Sequence, residues 1–176
     1  MKPADYVSAG FLFLEEVLYN YRNDSKRFVR KVREYIEENF RPNENQLITF
    51  VQTERFNQIF GEINCLEPCS SLKVTNIDMI FSNIKLDDSG QVFVFDLEWV
   101  FDFPIPYRYC IWRAANEVYE KYCAYLKRSI SKLAYFGKLG FENAELELFE
   151  MRECSFREHV FGVGMKEVYT KNMLKM

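Results

Sequence analysis

Residues 72–112 read LKVTNIDMIFSNIKLDDSGQVFVFDLEWVFDFPIPYRYCIW, and the fold is decided in this stretch. Ile84-Lys85-Leu86 alternates between two faces. Asp87-Asp88-Ser89-Gly90 is a turn cluster. Gln91 to Phe95 is rich in β-branched and aromatic residues, with Val92 and Val94 on one face and Phe93 and Phe95 on the other. Two such runs around a glycine-containing turn predict a β-hairpin over about residues 84–95. A hairpin returns the chain beside its starting point. Asn83, just before the first strand, is therefore expected next to Asp96, just after the second. Asp78 lies five residues before Asn83, at the start of the same loop.

Those three residue types suit phosphoryl transfer. Mg²⁺ takes hard oxygen ligands, commonly one or two protein groups plus substrate phosphates. An Asn carbonyl and an Asp carboxylate at the two ends of one hairpin, Asn83 and Asp96, are the candidate magnesium and nucleotide-phosphate ligands. Asp78 is the candidate catalytic residue, a carboxylate that positions or deprotonates an attacking hydroxyl. The plainer reading is that Asp78 caps its own turn and Asn83 ends a strand by bonding backbone.

Asp78-x-x-x-x-Asn83, a hairpin and then Asp96 resembles the catalytic loop and metal-binding Asp of the protein-kinase-like phosphotransferases. The longer pattern Asp78-x-x-Phe81-x-Asn83, Asp96-x-Glu98-Trp99 and Pro104-x-Pro106, followed by Trp112-Arg113, is similar to the kinase-like domain found beside glycosyltransferase or methyltransferase domains in bacterial surface-glycan proteins. The resemblance covers residues 56–113 and is looser over the helical remainder. Two departures stand out. Asn76-Ile77 replaces the usual His-Arg before the catalytic Asp. Leu97-Glu98 replaces the usual Phe-Gly after the metal Asp, as in small-molecule kinases of the aminoglycoside-phosphotransferase type. Glu98 is either a carboxylate near the metal or a structural acid paired with Arg113 or Arg108, the structural role being favoured.

Outward from this centre the chain reads as helical. Residues 4–21 carry Val7, Phe11, Leu14, Leu18 and Tyr21 at helical spacing. After Asn23-Asp24-Ser25 a second helix reaches about Phe40, with Phe28, Val32, Tyr35, Ile36 and Phe40 inward and Pro42 as its stop. The period of residues 47–51 is ambiguous. A short helix ends at Gly61, and residues 61–71 read as a loop. Pro106 opens a further helix through Leu126. Residues 129–140 look irregular. Asn143 is expected to cap a third long helix, striped by Leu146, Phe149, Phe156 and Val160 and broken at Gly162, and residues 165–176 read as a fraying helix. The predicted fold class is α+β, mainly α: a single domain over residues 1–176, the helical C-terminal lobe of a kinase-like fold with one embedded hairpin. No glycine-rich strand region stands before Asp78, so the N-terminal lobe is expected to be absent.

Composition narrows the function. The chain has 176 residues, 17 Phe and 11 Tyr, and a formal net charge of −3, so a large aromatic core is available and no basic stripe points to nucleic acid. Lys26, Arg27, Arg30, Lys31 and Arg33 fall on the wet side of a helix and are balanced by Glu34, Glu37 and Glu38. No stretch approaches the ~20 apolar residues of a membrane span. Five cysteines without a secretory signal read as reduced, cytoplasmic thiols, with Cys110 and Cys123 buried on a helix. Cys65-x-x-x-Cys69 lacks a second ligand pair, and His159 is the only histidine.

The resemblance implies a phosphotransferase acting with ATP and Mg²⁺ on a hydroxyl of a glycan or other small molecule, in polysaccharide biosynthesis, and inactive as an isolated lobe. The alternative is a pseudokinase-like module that docks or holds substrate. Expected partners are an N-terminal lobe or an adjoining glycosyltransferase or methyltransferase domain, or a second copy of the chain. An unrelated helical interaction domain would place Asp78 and Asp96 far apart.

Overall fold

The computed structural model describes residues 8–62, 69–87, 89 and 91–162. Helix α1, Ala9–Tyr21, is capped by Ser8, whose hydroxyl accepts the Phe11 N–H at 3.3 Å. Its inner face carries Gly10, Leu14 and Val17. The expected start near Ala4 lies outside the described residues. Helix α2, Ser25–Asn39, is capped by Asp24, which accepts the Arg27 N–H at 3.0 Å. Phe28, Val29, Val32 and Ile36 face inward, and the Phe13 and Tyr35 rings stack 4.2 Å apart between the two helices. The outer side of α2 carries Arg30–Glu34, Lys31–Glu34 and Arg33–Glu37 pairs. They are solvated and screened, so the helix is held by its apolar face rather than by these pairs.

The expected hairpin forms from β4, Ile84–Leu86, and β5, Val92–Val94, with Lys85 opposite Phe93. It is not the sole strand pairing, which corrects the single-hairpin expectation. Strand β1, Leu47–Thr49, resolves the ambiguous run. It pairs antiparallel with β2, Ser70–Leu72, which pairs in turn with β7, Ile105–Pro106. Strand β3, Thr75–Asn76, pairs with β6, Val100–Phe101. These strands are two or three residues long, too short to show a hydrophobic period, and their partners are distant in sequence.

Helix α3, Glu54–Phe60, starts at the Thr53 cap and stops at Gly61, where φ is +80° and glycine alone avoids strain. Helix α4, Tyr107–Lys121, begins after Pro106, as expected, but ends at Tyr122, and a separate turn, α5, Cys123–Leu126, follows. The stretch read as irregular contains α6, Lys132–Lys138, capped by Ser131. Helix α7, Asn143–Phe161, is opened by a reciprocal Glu142–Glu145 capping box, so Asn143 is its first residue and not its cap. Gly162, at φ +86°, ends it as expected. The helix expected over residues 165–176 lies outside the described residues.

One core joins the helices with the hairpin, β6 and β7. Phe60 packs against Phe56, Phe101, Tyr109 and Phe156, and Trp99 meets Phe156 edge-on. Trp112 and Phe103 are buried, whereas Trp99 and Phe101 are half-buried against the core. Each favourable ring pair adds about 0.5–1.5 kcal/mol beyond the area it buries. This aromatic cluster backs the segment that follows Asp96. Cys110 is buried, and Cys123 is half-buried rather than enclosed. No helix of the described residues is long and apolar enough to cross a membrane.

Candidate functional site

Strands β3 and β6 fasten the chain immediately before Asp78. Thr75 lies opposite Phe101 and Asn76 opposite Val100, and the Ile77 N–H donates to the Trp99 carbonyl at 3.1 Å. The Asn76 side chain then accepts the Asp78 N–H at 2.9 Å, which turns the chain out of the strand. A 3-10 turn, Phe81–Asn83, closes the loop. Its anchor is the fully buried Phe81, whose ring lies 5.2 Å from Tyr35 and 5.3 Å from Phe40. From the other side the Ser8 hydroxyl donates to the Phe81 carbonyl, and to that of Ile84 at 3.1 Å. Gly10 makes this approach possible: a Cβ there would stand 2.3 Å from the Phe81 oxygen.

The loop geometry brings the sequence-predicted residues together. Asn83 Nδ2 donates to the Asp78 carbonyl across the loop at 3.0 Å. The Asn83 carbonyl accepts the Phe95 N–H at 3.0 Å, so the hairpin delivers Asp96 beside Asn83. The separation of Asp78 and Asp96 expected of an unrelated helical domain is not observed. Asp78 is only 7 % exposed. Its Oδ2 accepts the Trp99 N–H at 2.9 Å, and its Oδ1 lies 3.7 Å from Arg113 Nη1. Burial pushes its carboxyl above the usual range, against the pull of the Trp99 N–H and Arg113. The negative charges of Asp96 and Glu98 push the same way as burial.

Helix α4 supplies Arg113, which closes the motif, and Glu117, which the motif did not reveal. Arg113 Nη1 donates to the Ile77 carbonyl at 2.6 Å, and its Nε to Glu153 Oε2 at 2.9 Å. Glu153, on α7, also accepts the Tyr109 hydroxyl at 2.7 Å and Arg157 Nε at 2.9 Å. Desolvation pushes the Glu153 carboxyl up, but Arg113, Arg157 and the Tyr109 hydroxyl outweigh it and hold it below its ordinary value. Glu117 accepts the Ser82 N–H at 3.1 Å, and burial raises its pKa. The expected pairing of Glu98 with Arg113 or Arg108 is therefore corrected. Arg113 takes Glu153 and Asp78, Arg108 takes Glu145 at 2.5 Å, and Glu98 is exposed. The i,i+4 spacing of Glu153 and Arg157 was the one sequence signal for this network.

Asn83 Oδ1 and the Asp96 carboxylate are hard oxygens, the type of ligand that magnesium takes. Asn83 Oδ1 accepts a 3.3 Å bond from the Ser82 hydroxyl, and Asp96 Oδ1 a 3.3 Å bond from the Glu98 N–H. Two hard oxygens thus stand at the hairpin's ends. Among the described residues no group of three or more His, Cys, Asp or Glu is arranged to hold a metal. Several apolar side chains on and after the hairpin are exposed: Phe93 and Phe95 on one of its faces, Leu86, 53 % exposed, on the other, and Leu97, 60 % exposed, and Val100 beyond it. Lys85 Nζ sits 4.5 Å over the Phe95 ring. No family model, curated protein or solved structure matches this chain.

Proposed function

We propose that this chain is the helical lobe of a kinase-like phosphotransferase that moves the terminal phosphoryl group of ATP to a hydroxyl of a glycan or other small molecule, in the cytoplasm. The observation that carries this reading is the Asn83 side chain bonded to the Asp78 carbonyl, with the hairpin returning Asp96 to the same place. The resemblance of the Asp78, Asn83 and Asp96 pattern to the kinase-like phosphotransferases supports it. In the reaction Asp78 accepts the proton of the attacking hydroxyl as the new O–P bond forms, and the bond to the leaving ADP oxygen breaks. A carboxyl raised by burial holds that proton better than an exposed one. Asn83 Oδ1 and Asp96 would hold Mg²⁺, which supplies charge neutralisation at the phosphate oxygens. The nucleotide of such enzymes lies between two lobes, so this chain alone is expected to turn over little or no substrate.

The test is calorimetric titration with Mg²⁺ and a non-hydrolysable ATP analogue. Binding that requires Mg²⁺ and weakens about tenfold or more in Asp96→Asn supports the reading, since a charged ligand contributes about 1.5–3 kcal/mol. Exposed Phe93 and Phe95, on one face of the hairpin, favour a second reading, a docking or substrate-holding module covered by an adjoining lobe, a glycosyltransferase or methyltransferase domain, or a second copy. Absence of Mg²⁺-dependent binding both in this chain and in a longer chain that includes the adjoining lobe supports that module.

A further inference from the structure

The loop over residues 78–83 is held from beneath by one face of α4. Arg113 and Glu117 are four residues apart and so point the same way, one turn above the other. Arg113 bonds the Ile77 carbonyl at 2.6 Å, immediately before Asp78. Glu117 bonds the Ser82 N–H at 3.1 Å, immediately before Asn83. Each end of the loop is thus tied by a charge-assisted bond to a charged side chain, about twice as strong as a neutral one.

Arg113 is itself immobilised. Its side chain is 14 % exposed, and Glu153, its partner, is 3 % exposed. Glu153 is pinned in turn by Tyr109 and Arg157, and the guanidinium lies 5.3 Å over the Phe156 ring. The guanidinium fork places Nη1 where it meets both the Ile77 carbonyl and Asp78 Oδ1, 3.7 Å away. The groups facing Asp78 are the Trp99 N–H, Arg113, Asp96 and Glu98. Those facing Glu117 are the Ser82 hydroxyl and N–H, the Phe81 N–H and Lys121.

We propose that Arg113 and Glu117 are the positioning residues of this site, fixing the two ends of the loop so that the Asp78 carbonyl meets the Asn83 side chain and the Asp78 carboxylate faces the hairpin. The inference deepens the phosphotransfer reading and rests on it for the site's purpose. The anchoring itself is observable without nucleotide.

The experiment is NMR on the full chain at one fixed pH, following hydrogen exchange of the Trp99 backbone N–H, which Asp78 Oδ2 accepts, and of the Asn83 side-chain amide. Arg113→Met is expected to speed Trp99 exchange about tenfold, because the carboxylate that accepts this N–H loses the guanidinium that fixes it. Arg113→Lys restores the charge and most of that protection. Glu117→Leu is expected to speed Asn83 amide exchange about tenfold, the size of one lost bond to a charged group. Glu117→Gln keeps an acceptor for Ser82 and stays near wild type. A purely structural role would change melting temperature in these variants and leave both readouts alone. Should Arg113→Met fail to fold, Arg113→Met/Glu153→Met removes both buried charges together and carries the same expectation. Folded variants that keep the wild-type exchange rates of both groups overturn the proposal. So does a wild-type Asn83 amide that exchanges as fast as a free asparagine. Neither readout uses Mg²⁺ or ATP, so failure of nucleotide binding refutes the functional reading and leaves the anchoring result intact.

Discussion

Replacing Gly10 with alanine sets two effects of similar size against each other. Alanine is the better helix former by about 0.8–1.0 kcal/mol, and Gly10 lies inside α1. The added Cβ, however, would stand 2.3 Å from the Phe81 oxygen and 3.0 Å from its carbonyl and α carbons. An ordinary contact between carbon and a carbonyl oxygen is about 3.3 Å or more, so α1 must retreat by about 1 Å. The obstacle is backbone inside a turn anchored by a buried ring and cannot rotate away. Overpacking of this kind costs about 1–3 kcal/mol, and the retreat also stretches the bonds from Ser8 to Phe81 and Ile84. The clash should win, with a net loss of about 1–2 kcal/mol and a urea midpoint lower by about 0.5–1 M. Urea unfolding followed by Trp99 and Trp112 fluorescence measures it. The control is Gly137→Ala in α6, where a Cβ meets nothing within 4 Å, so propensity alone acts and stability should rise by up to about 1 kcal/mol. A Gly10→Ala variant as stable as wild type, or more so, would refute the close-approach argument.

Three further outcomes are expected. Burial raises the Asp78 pKa, so between its ordinary value and the raised one the folded state binds more protons than the unfolded state, and stability falls as pH rises through that window. At neutral pH the ionised group is destabilising, and Asp78→Asn should melt higher than wild type; a lower melting temperature contradicts the assignment. Glu153 has the opposite sign: its lowered pKa contributes stability present above the ordinary carboxyl value and lost as pH falls through the lowered one. Glu153→Ala, which leaves buried Arg113 facing no carboxylate on α7, should cost about 3–5 kcal/mol in urea unfolding at neutral pH. The Cys110 thiol, pushed up to about 12 by burial, should resist a thiol reagent at mildly alkaline pH until the protein unfolds, and rapid native labelling at that position would contradict the packing.

The hairpin and the candidate site around it were legible because their signals are local. Alternation on either side of the residue 87–90 turn predicts the strand pair, and the pair that forms, with Lys85 opposite Phe93, brings Asn83 to Phe95. Helix α2, the Thr53 cap, and the stops at Gly61 and Gly162 follow from equally short patterns. The small sheets and α6 were not legible, because two or three residues make no period and a seven-residue helix containing Gly137 scarcely makes one. Arg113 illustrates the same limit in the site. Glu98 and Glu153 are both carboxylates, and nothing in a list of charges ranks one above the other.

The amino-acid sequence by itself thus determined which residues alternate, where α2 lies, where α3 and α7 stop, and that Asp78, Asn83 and Asp96 share one hairpin-closed loop. Each of these depends on neighbours within a few positions, where backbone geometry dictates direction. Only the tertiary structure decided that Arg113 reaches back 36 residues to Ile77 and forward 40 to Glu153, and that Ser8 reaches 73 residues to Phe81. Those contacts exist because α1, α4 and α7 are packed at set depths by a shared aromatic core, and that depth is a property of all the side chains together.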